Sequence, residues 1–325
     1  MKTSNKTPSN SSTSVQAVTP ITTPQAAPSA LVVSYSAAAQ SNATTRAYDV
    51  DIRHFKQYGG TIPASAAMVA EYLASFAGIL AVATLQHRLI AIHRAHADKG
   101  LESPMKDHLV KRTMQGIRRT LGTKQRRVTA LVKDDLLEIM VHIDQQAPMK
   151  AARDKALMLI GFAGAFRRSE LVALRYEDMT LYDSGLELLL RRSKTDQEGA
   201  GRSVFIPYAR GSRCPVKVLK SWLELAGIVT GPLFRPISRH DQIVGSKALT
   251  PQSVARIVKS SVRLMMGEDA AKLVAGHSLR AGYCTEAAIV GLQPYQIREQ
   301  TGHRSDVTLA RYIRPVARRK IPSLL

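Results

Sequence analysis

Three polar groups near the carboxyl end carry side chains suited to chemistry at a phosphodiester: an H-x-x-R segment at His277 and Arg280, a G-H pair ending at His303, and Tyr312. The paired donors of a guanidinium match the non-bridging oxygens, which become more negative during displacement. The two imidazoles can accept or donate a proton near neutral pH. The phenol, with an unperturbed pKa of about 10, needs a proton acceptor and nearby positive charge to act as a nucleophile.

Three short helices are predicted to position these groups. The first begins at His277, so that His277 and Arg280 lie on one face. The second covers about 294–301, where a glycine ends it and delivers the G-H pair into a turn. The third carries Tyr312 about two turns in and ends at Pro315.

In order and spacing, these groups resemble the tyrosine recombinase (phage integrase) family, whose signature is H-x-x-R, then G-H, then a tyrosine nine positions after that histidine. Upstream, the segment 164–171 resembles the family's first arginine box, in which Arg167 matches the catalytic arginine and Glu170 its acidic partner. Arg168 competes for the arginine role, and Arg167 is favoured because Glu170 falls at i+3 from it. The family also carries a catalytic lysine on a hairpin between its arginine boxes, and Lys194 matches that position.

The resemblance implies that Tyr312 cleaves one DNA strand and leaves a 3′-phosphotyrosyl bond and a free 5′-hydroxyl, which precedes religation to a partner strand. ATP is not expected, because the covalent ester keeps the energy of the broken phosphodiester, and a metal is not expected, because the implied arginines and His303 would supply the positive field. His277 would act as base, Lys194 as acid, and Arg167, Arg280 and His303 as the source of positive field. The implied catalytic set is Arg167, Glu170, Lys194, His277, Arg280, His303 and Tyr312. The implied partners are a double-stranded recombination site and further copies of the chain, as a dimer on each site and a homotetramer on two duplexes.

Three other readings remain open. A type IB topoisomerase-like enzyme would use the same nucleophile and clamps but rejoin the original strand. A helical DNA-binding accessory protein would never become covalently attached to a nicked duplex. Tyr312 itself has a purely structural reading, as a half-buried aromatic on an amphipathic helix.

The pattern of apolar residues predicts a mainly α fold with a small antiparallel β-sheet. Helical periodicity runs from about 44 to 122, and period-two stretches at 186–192 and 202–208 predict a hairpin around a polar loop. The predicted organisation is a disordered arm over 1–40, a helical core-binding (SAM-like) DNA-binding domain over 41–122, a basic linker over 123–130 and a catalytic domain over 131–325. By resemblance, the two folded domains are expected to form a C-shaped DNA clamp.

Charge favours a nucleic-acid partner, because 46 Lys and Arg against 25 Asp and Glu give a formal charge of +21. An anionic membrane surface is the rival reading. Between 101 and 131, eight basic residues stand against two acidic ones, which is typical of a helical bundle that lies on a duplex backbone. The residues predicted to contact DNA are Arg88, Lys111, Arg112, Arg118, Arg119, Lys124, Arg126 and Arg127.

Other classes of protein are disfavoured. No apolar run approaches the roughly 20 residues of a membrane span, so no membrane partner is expected. Two cysteines in unrelated contexts argue against a disulfide or zinc framework and favour a reducing cytoplasm. The expected location is the bacterial cytoplasm, in association with the nucleoid. The helix predicted over 82–97 is expected to turn its basic residues mostly outward as a solvated face, and no carboxylate or cysteine is spaced to complete a metal site. These residues are His87, Arg88, His93, Arg94 and His96.

Overall fold

The computed structural model describes residues 29–123, 128–191 and 201–319. The chain divides into two compact units, Met1–Gln125 and Arg126–Leu325. Helices predominate in the described parts of both units, and the strands of the second unit form a small antiparallel sheet. The predicted fold class, mainly α with a small sheet, is therefore confirmed.

The first unit is helical, with serine and aspartate side chains at several helix starts. Ser41 and Ser65 each accept a hydrogen bond from the amide three residues later at 3.2 Å, and Asp107 accepts one from Leu109 at 2.7 Å. The helices bury one apolar cluster that includes Phe55, Leu73, Leu85, Val110 and Met114. Their bounds are α1 Ala30–Ala38, α2 Asn42–Gln57, α3 Ala66–Ser75, α4 Val82–Ala97 and α5 His108–Leu121.

The expectation that the basic residues of α4 face outward is wrong for two of them. His96 is fully buried, and its Nε2 accepts a hydrogen bond from the Ala64 amide at 2.9 Å. Arg88 is only 9% exposed: its Nε lies 3.5 Å from the Asp51 carboxylate, and its Nη1 donates to the Tyr72 hydroxyl at 3.1 Å. Asp51 is itself buried and needs a countercharge. His87 Nδ1, 2.5 Å from this carboxylate, and Arg88 both face it, so Arg88 is held inside the bundle. This position does not favour the predicted contact of Arg88 with DNA.

The second unit places most of its helices around one large apolar core, which holds Leu157, Phe166, Trp222 and Phe234. The apolar helix α7, Pro148–Ala163, is buried on most sides. The helices are α6 Lys133–Ile143, α7 Pro148–Ala163, α8 Arg168–Ala173, α9 Pro215–Leu225, α10 Pro251–Leu273, α11 Ser278–Ile289, α12 Pro294–Thr301 and α13 Asp306–Arg319.

The sheet has the order β1-β2-β3, with antiparallel pairing throughout. Its strands are β1 Met179–Tyr182, β2 Gly185–Leu190 and β3 Arg202–Pro207, and the strands β2 and β3 form the predicted hairpin. Leu190 pairs with Arg202 at the base of the hairpin loop. Val204 and Ile206 alternate inward from β3 onto the core. Strand β1 was not predicted.

Helix α13 continues to Arg319, so the prediction that it ends at Pro315 is wrong. A proline has a fixed φ that is itself helical and removes one amide donor, so a helix with other anchors can run through it. Within the described residues, no helix is both long enough and apolar enough to cross a bilayer.

Candidate active site

Helix α11 brings Arg280 into the interior of the second unit. Ser278, in its first turn, accepts a hydrogen bond from the Ala275 amide at 3.0 Å through its side chain. Its carbonyl accepts one from the Leu131 amide at 3.2 Å. Gly282, one turn further on, lies so close to Leu131 that an added Cβ would stand 1.7 Å from its carbonyl oxygen. These contacts press the start of α11 against the core and bury Arg280 completely.

The Arg280 guanidinium uses only part of its donor set within the protein. Nη1 donates to the Ala165 carbonyl at 2.7 Å, and Ala165 holds a left-handed φ of 50° that turns this carbonyl inward. Nε and Nη2 are buried and have no hydrogen-bond partner among the described residues. Burial, and then the nearby Arg167 charge, lower the pKa of Arg280 to about 10. Buried cationic donors without partners favour an incoming anion.

Arg167 lies at the start of α8 and donates two hydrogen bonds to Glu170. The Arg167 amide donates to Glu170 Oε2 at 2.9 Å, and its Nη1 donates to Oε1 at 2.5 Å. Glu170 is 1% exposed, so the pair lies inside the site. Arg168, the competitor, is exposed, and its side-chain carbons lie against Gly276, where an added Cβ would stand 2.3 Å from Arg168 Cδ. The carboxylate therefore orients Arg167 and leaves Arg168 outside the pair.

Tyr312 meets His277 across the unit, because α13 packs on α11 and α12 through an apolar cluster that contains Cys284, Ile297 and Leu309. The Tyr312 hydroxyl lies 3.1 Å from His277 Nε2. Burial and the charges of the nearby arginines lower the pKa of His277 to about 4. His277 is therefore neutral at pH 7, and with its proton on Nδ1 it can accept the phenolic proton at Nε2.

His303 follows the left-handed Gly302, whose φ is 63° and ψ is 38°. The Thr301 hydroxyl donates to the Ile297 carbonyl at 2.6 Å and lies 2.7 Å from His303 Nδ1. Because that hydroxyl proton is already used, Nδ1 donates to the threonine and Nε2 of a neutral His303 carries a lone pair. Burial, followed by the Arg280 and Arg167 charges, lowers the pKa of His303 to about 3. Its ring centroid is 6.1 Å from that of Tyr312.

A third arginine, which the sequence reasoning missed, completes the cluster. Arg202 is the first residue of β3; its Nη1 donates to the Gln300 carbonyl at 3.0 Å, and its Nη2 lies 3.7 Å from Glu170 Oε2. Burial lowers its pKa. The alternation of the strand could have indicated this residue, because Arg202 lies on the same inward-facing side of β3 as Val204 and Ile206.

The structure thus brings together six of the seven predicted catalytic residues, Arg167, Glu170, His277, Arg280, His303 and Tyr312. Lys194 lies outside the described residues, as do the predicted DNA contacts Lys124, Arg126 and Arg127. In the part of the chain that is described, no cluster of three or more His, Cys, Asp or Glu side chains has the arrangement of a metal site.

The remaining predicted DNA contacts lie together on α5. Its apolar face is buried through Val110, Met114 and Ile117. The opposite face is exposed and basic, and it carries Lys111, Arg112, Arg118 and Arg119. The first unit therefore has a one-sided cationic helix of the kind that binds a polyanion backbone.

Comparison with known proteins agrees with this geometry. Residues 129–319 match the model of the phage integrase family. An integrase/recombinase XerD homolog from Selenomonas ruminantium is 39% identical over 279 residues, which cover 83% of this chain and 81% of the relative. The Cre recombinase of Escherichia phage P1 is 23% identical over 72% of this chain and 71% of its own length. A lambda integrase tetramer bound to a Holliday junction has a similar fold, with a TM-score of 0.58, 16% identity and coverage of 84% of this chain and 72% of that one. The chain therefore belongs to the phage integrase family, the tyrosine recombinases.

Proposed function

We propose that this tyrosine recombinase performs site-specific DNA strand exchange with Tyr312 as its nucleophile. The observation that carries the proposal is the 3.1 Å contact between the Tyr312 hydroxyl and His277 Nε2, near the two Arg280 donors that have no partner in the described part of the chain. A phenol that faces a neutral base and a buried cationic site has the three things needed for attack on a phosphodiester: a proton acceptor, a place for the anion and a fixed approach.

In the proposed step, the Tyr312 oxygen attacks the phosphorus and its proton passes to His277 Nε2. The bond from phosphorus to the 5′ oxygen breaks, and that oxygen takes a proton from an acid, a role that we assign to Lys194. The strand is left with a 3′-phosphotyrosyl ester and a free 5′-hydroxyl. Attack on this ester by the 5′-hydroxyl of a second duplex reverses the chemistry and exchanges strands. Because the ester stores the energy of the broken bond, ligation needs no external energy source.

The guanidiniums supply the anion site. Arg280 presents Nε and Nη2, and Arg167 is oriented toward the same region by Glu170. Charge-assisted hydrogen bonds from such fixed donors strengthen as the non-bridging oxygens gain charge in the transition state. A bound phosphodiester would also raise the pKa values of His277 and His303, because its negative charge offsets the arginines that lower them.

DNA binding and assembly are proposed on separate grounds. The exposed basic face of α5 supports contact with the phosphate backbone, which fixes register without reading sequence. The similarity to a lambda integrase that forms a tetramer on a Holliday junction supports a dimer on each site and a tetramer on two duplexes. Light scattering of complexes with one and with two duplexes tests this assembly, and a single stoichiometry of one copy per duplex in both would contradict it.

The test of the nucleophile starts from a library of duplexes, from which bound and cleaved sequences are selected. A selected duplex is then nicked just beyond the scissile phosphate, so that the short cleaved piece leaves and the covalent adduct accumulates. Wild-type protein should form a denaturation-resistant adduct, and Tyr312→Phe should bind the duplex without forming one. Tyr295→Phe is the matched control, because Tyr295 is a 64% exposed tyrosine on α12.

Equal adduct formation by Tyr312→Phe would show that another residue is the nucleophile. If the variant loses binding as completely as it loses cleavage, Tyr312 is structural. Two duplexes of unequal length complete the test, because strand exchange gives recombinant lengths and simple rejoining does not.

A further inference from the structure

We propose that Arg202 is a positioning residue of this active site, which holds the turn that carries His303 against the Arg167–Glu170 pair. The inference rests on the proposed function, because it concerns the geometry of the same strand-cleavage reaction. Arg202 matches none of the family motifs on which the site was predicted. It is assigned from its contacts alone.

The Arg202 guanidinium bridges two segments that are distant in sequence. Its Nη1 donates to the Gln300 carbonyl at 3.0 Å, in the last turn of α12. Its Nη2 lies 3.7 Å from Glu170 Oε2, which is an ion-pair distance but too long for a hydrogen bond. Glu170 thus has Arg167 on one side and Arg202 on the other. One planar fork therefore links the G-H turn to the carboxylate that orients Arg167.

The backbone of the turn lies directly on this guanidinium. A Cβ added to Gly302 would stand 2.9 Å from Arg202 Nε and 3.1 Å from its Cζ. The Gln300 side chain ties the same turn to the core, since its Nε2 donates to the carbonyls of Ala163 at 2.9 Å and Phe205 at 3.1 Å. His303 is the next residue after Gly302, so a shift of Arg202 must move the imidazole relative to the arginines.

The buried donors of Arg202 cost folding free energy, which supports a role for this residue in the site. Its Nε and Nη2 are buried without a hydrogen-bond partner in the described part of the chain, although its side chain as a whole is 20% exposed. A guanidinium on the inward side of a strand, beside two other arginines, destabilises the fold. A role in the site would explain why it is present. The charge of Arg202 also helps to lower the pKa of His303, after burial and the charges of Arg280, Arg167 and His277.

A lysine could keep the charge of Arg202 but not its planar fork, in which one nitrogen binds the Gln300 carbonyl while a second faces Glu170. This difference separates a positioning role from a general electrostatic one. Displacement of a reacting group by about 1 Å can cost about 10²-fold in rate. We therefore expect Arg202→Lys to form adduct on the nicked duplex about 10²-fold more slowly than wild type, with an affinity for DNA within about threefold, which is under 1 kcal/mol.

The experiment measures single-turnover adduct formation, DNA affinity and the thermal transition for Arg202→Lys, Arg202→Met and Gly302→Ala, from about pH 5.5 to about pH 8. Arg210→Met is the matched control, since Arg210 is an exposed arginine just beyond the end of the same strand. Arg202→Met removes the charge, so its pH profile should also move to higher pH as the pKa of His303 rises. Gly302→Ala should slow cleavage in two ways, by straining the left-handed turn and by pushing on the same guanidinium. The second contribution should be lost in the double variant with Arg202→Met, so the two effects should combine to less than their product.

Cleavage by Arg202→Lys at the wild-type rate would overturn the bridge. If the two effects multiply in the double variant, Arg202 does not act through the turn that carries His303. A parallel loss of affinity and cleavage, or an equal slowing of Arg210→Met, would mean that the effect of Arg202 comes from general folding or DNA binding. If Arg202→Met fails to fold, the lysine variant decides. If wild-type protein itself forms no adduct, the proposed function fails first, which is distinct from normal cleavage by all the Arg202 variants.

Discussion

Replacement of Arg280 by lysine separates the shape of the anion site from its charge. Arg280 is 0% exposed and spends Nη1 on the Ala165 carbonyl at 2.7 Å, which leaves Nε and Nη2 for a phosphodiester. A lysine has one nitrogen at the end of a flexible stem. The lysine nitrogen can bind the Ala165 carbonyl or approach the phosphate. It cannot bind Ala165 and also present two parallel donors to the phosphate.

The expected magnitude follows from the donors lost. Removal of a single preorganised donor from an oxyanion site typically costs about 2.7–4 kcal/mol, or about 10² to 10³ in rate. Arg280→Lys loses at least one of its two free donors, so the cleavage rate should fall by at least about 10². DNA affinity should change by less than about tenfold, or 1.4 kcal/mol, because the charge is kept and the duplex has other contacts.

The assay is single-turnover adduct formation on the nicked duplex, with affinity measured separately by gel shift. Arg298→Lys is the control, because Arg298 on α12 is exposed and pairs with Asp306 at the surface. We expect the control to cleave at the wild-type rate. A rate for Arg280→Lys within about threefold of wild type, which is under 1 kcal/mol, would refute the argument that the forked donors stabilise the transition state.

Three further predictions concern pH, charge and packing. The pKa values of His277, about 4, and of His303, about 3, lie below the value of about 6.5 in the unfolded chain. The free energy of unfolding is therefore highest above about pH 6.5 and falls at lower pH by about 1.4 kcal/mol per pH unit for each histidine. Chemical denaturation as a function of pH should show this decrease, and His303→Gln should make it less steep. Replacement of Lys111 and Arg112 by glutamine should weaken DNA binding for all sequences alike and reduce the slope of log affinity against log salt by about 2, as a salt titration would show. Arg88→Met should lower the free energy of unfolding by about 1.5–3 kcal/mol, because Asp51 and the Tyr72 hydroxyl each lose a partner while His87 Nδ1 stays 2.5 Å from Asp51. DNA affinity below the thermal transition should be unchanged, and weakened binding by the folded variant would support Arg88 as a DNA contact.

The candidate site residues could be paired from sequence because their spacing is local. His277 and Arg280 are one helical turn apart, and Arg167 and Glu170 are related in the same way. Short-range periodicity therefore placed each pair on one face. The assembly of these pairs into one site was supported by the family resemblance, since nothing in the spacing alone brings Tyr312 to His277, 35 residues away.

The features that the sequence did not reveal depend on tertiary contacts. The Ala165 carbonyl that binds Arg280 is 115 residues away and is aimed by a left-handed turn at a residue that is not glycine. Arg88 and His96 have the polarity of surface residues, and only the burial of Asp51 and the Ala64 amide explains why they turn inward. Arg202 stands at a strand end, where an exposed arginine is ordinary. Its role depends on the turn packed against it.

The electrostatics of the site suggest that the substrate itself completes it. Among protein groups alone, burial and then the nearby arginines lower the pKa values of His277 and His303 and keep both neutral; that state suits His277 as a base but makes His303 a poor source of positive field. A phosphodiester placed at Arg280 brings a negative charge that offsets those arginines and raises the pKa of each imidazole. His303 Nδ1 is held by Thr301, so a proton gained by His303 must go to Nε2, from which it can be donated. The expectation that His303 contributes positive field therefore applies after DNA is bound, and the anion that needs stabilisation is also the group that recruits it.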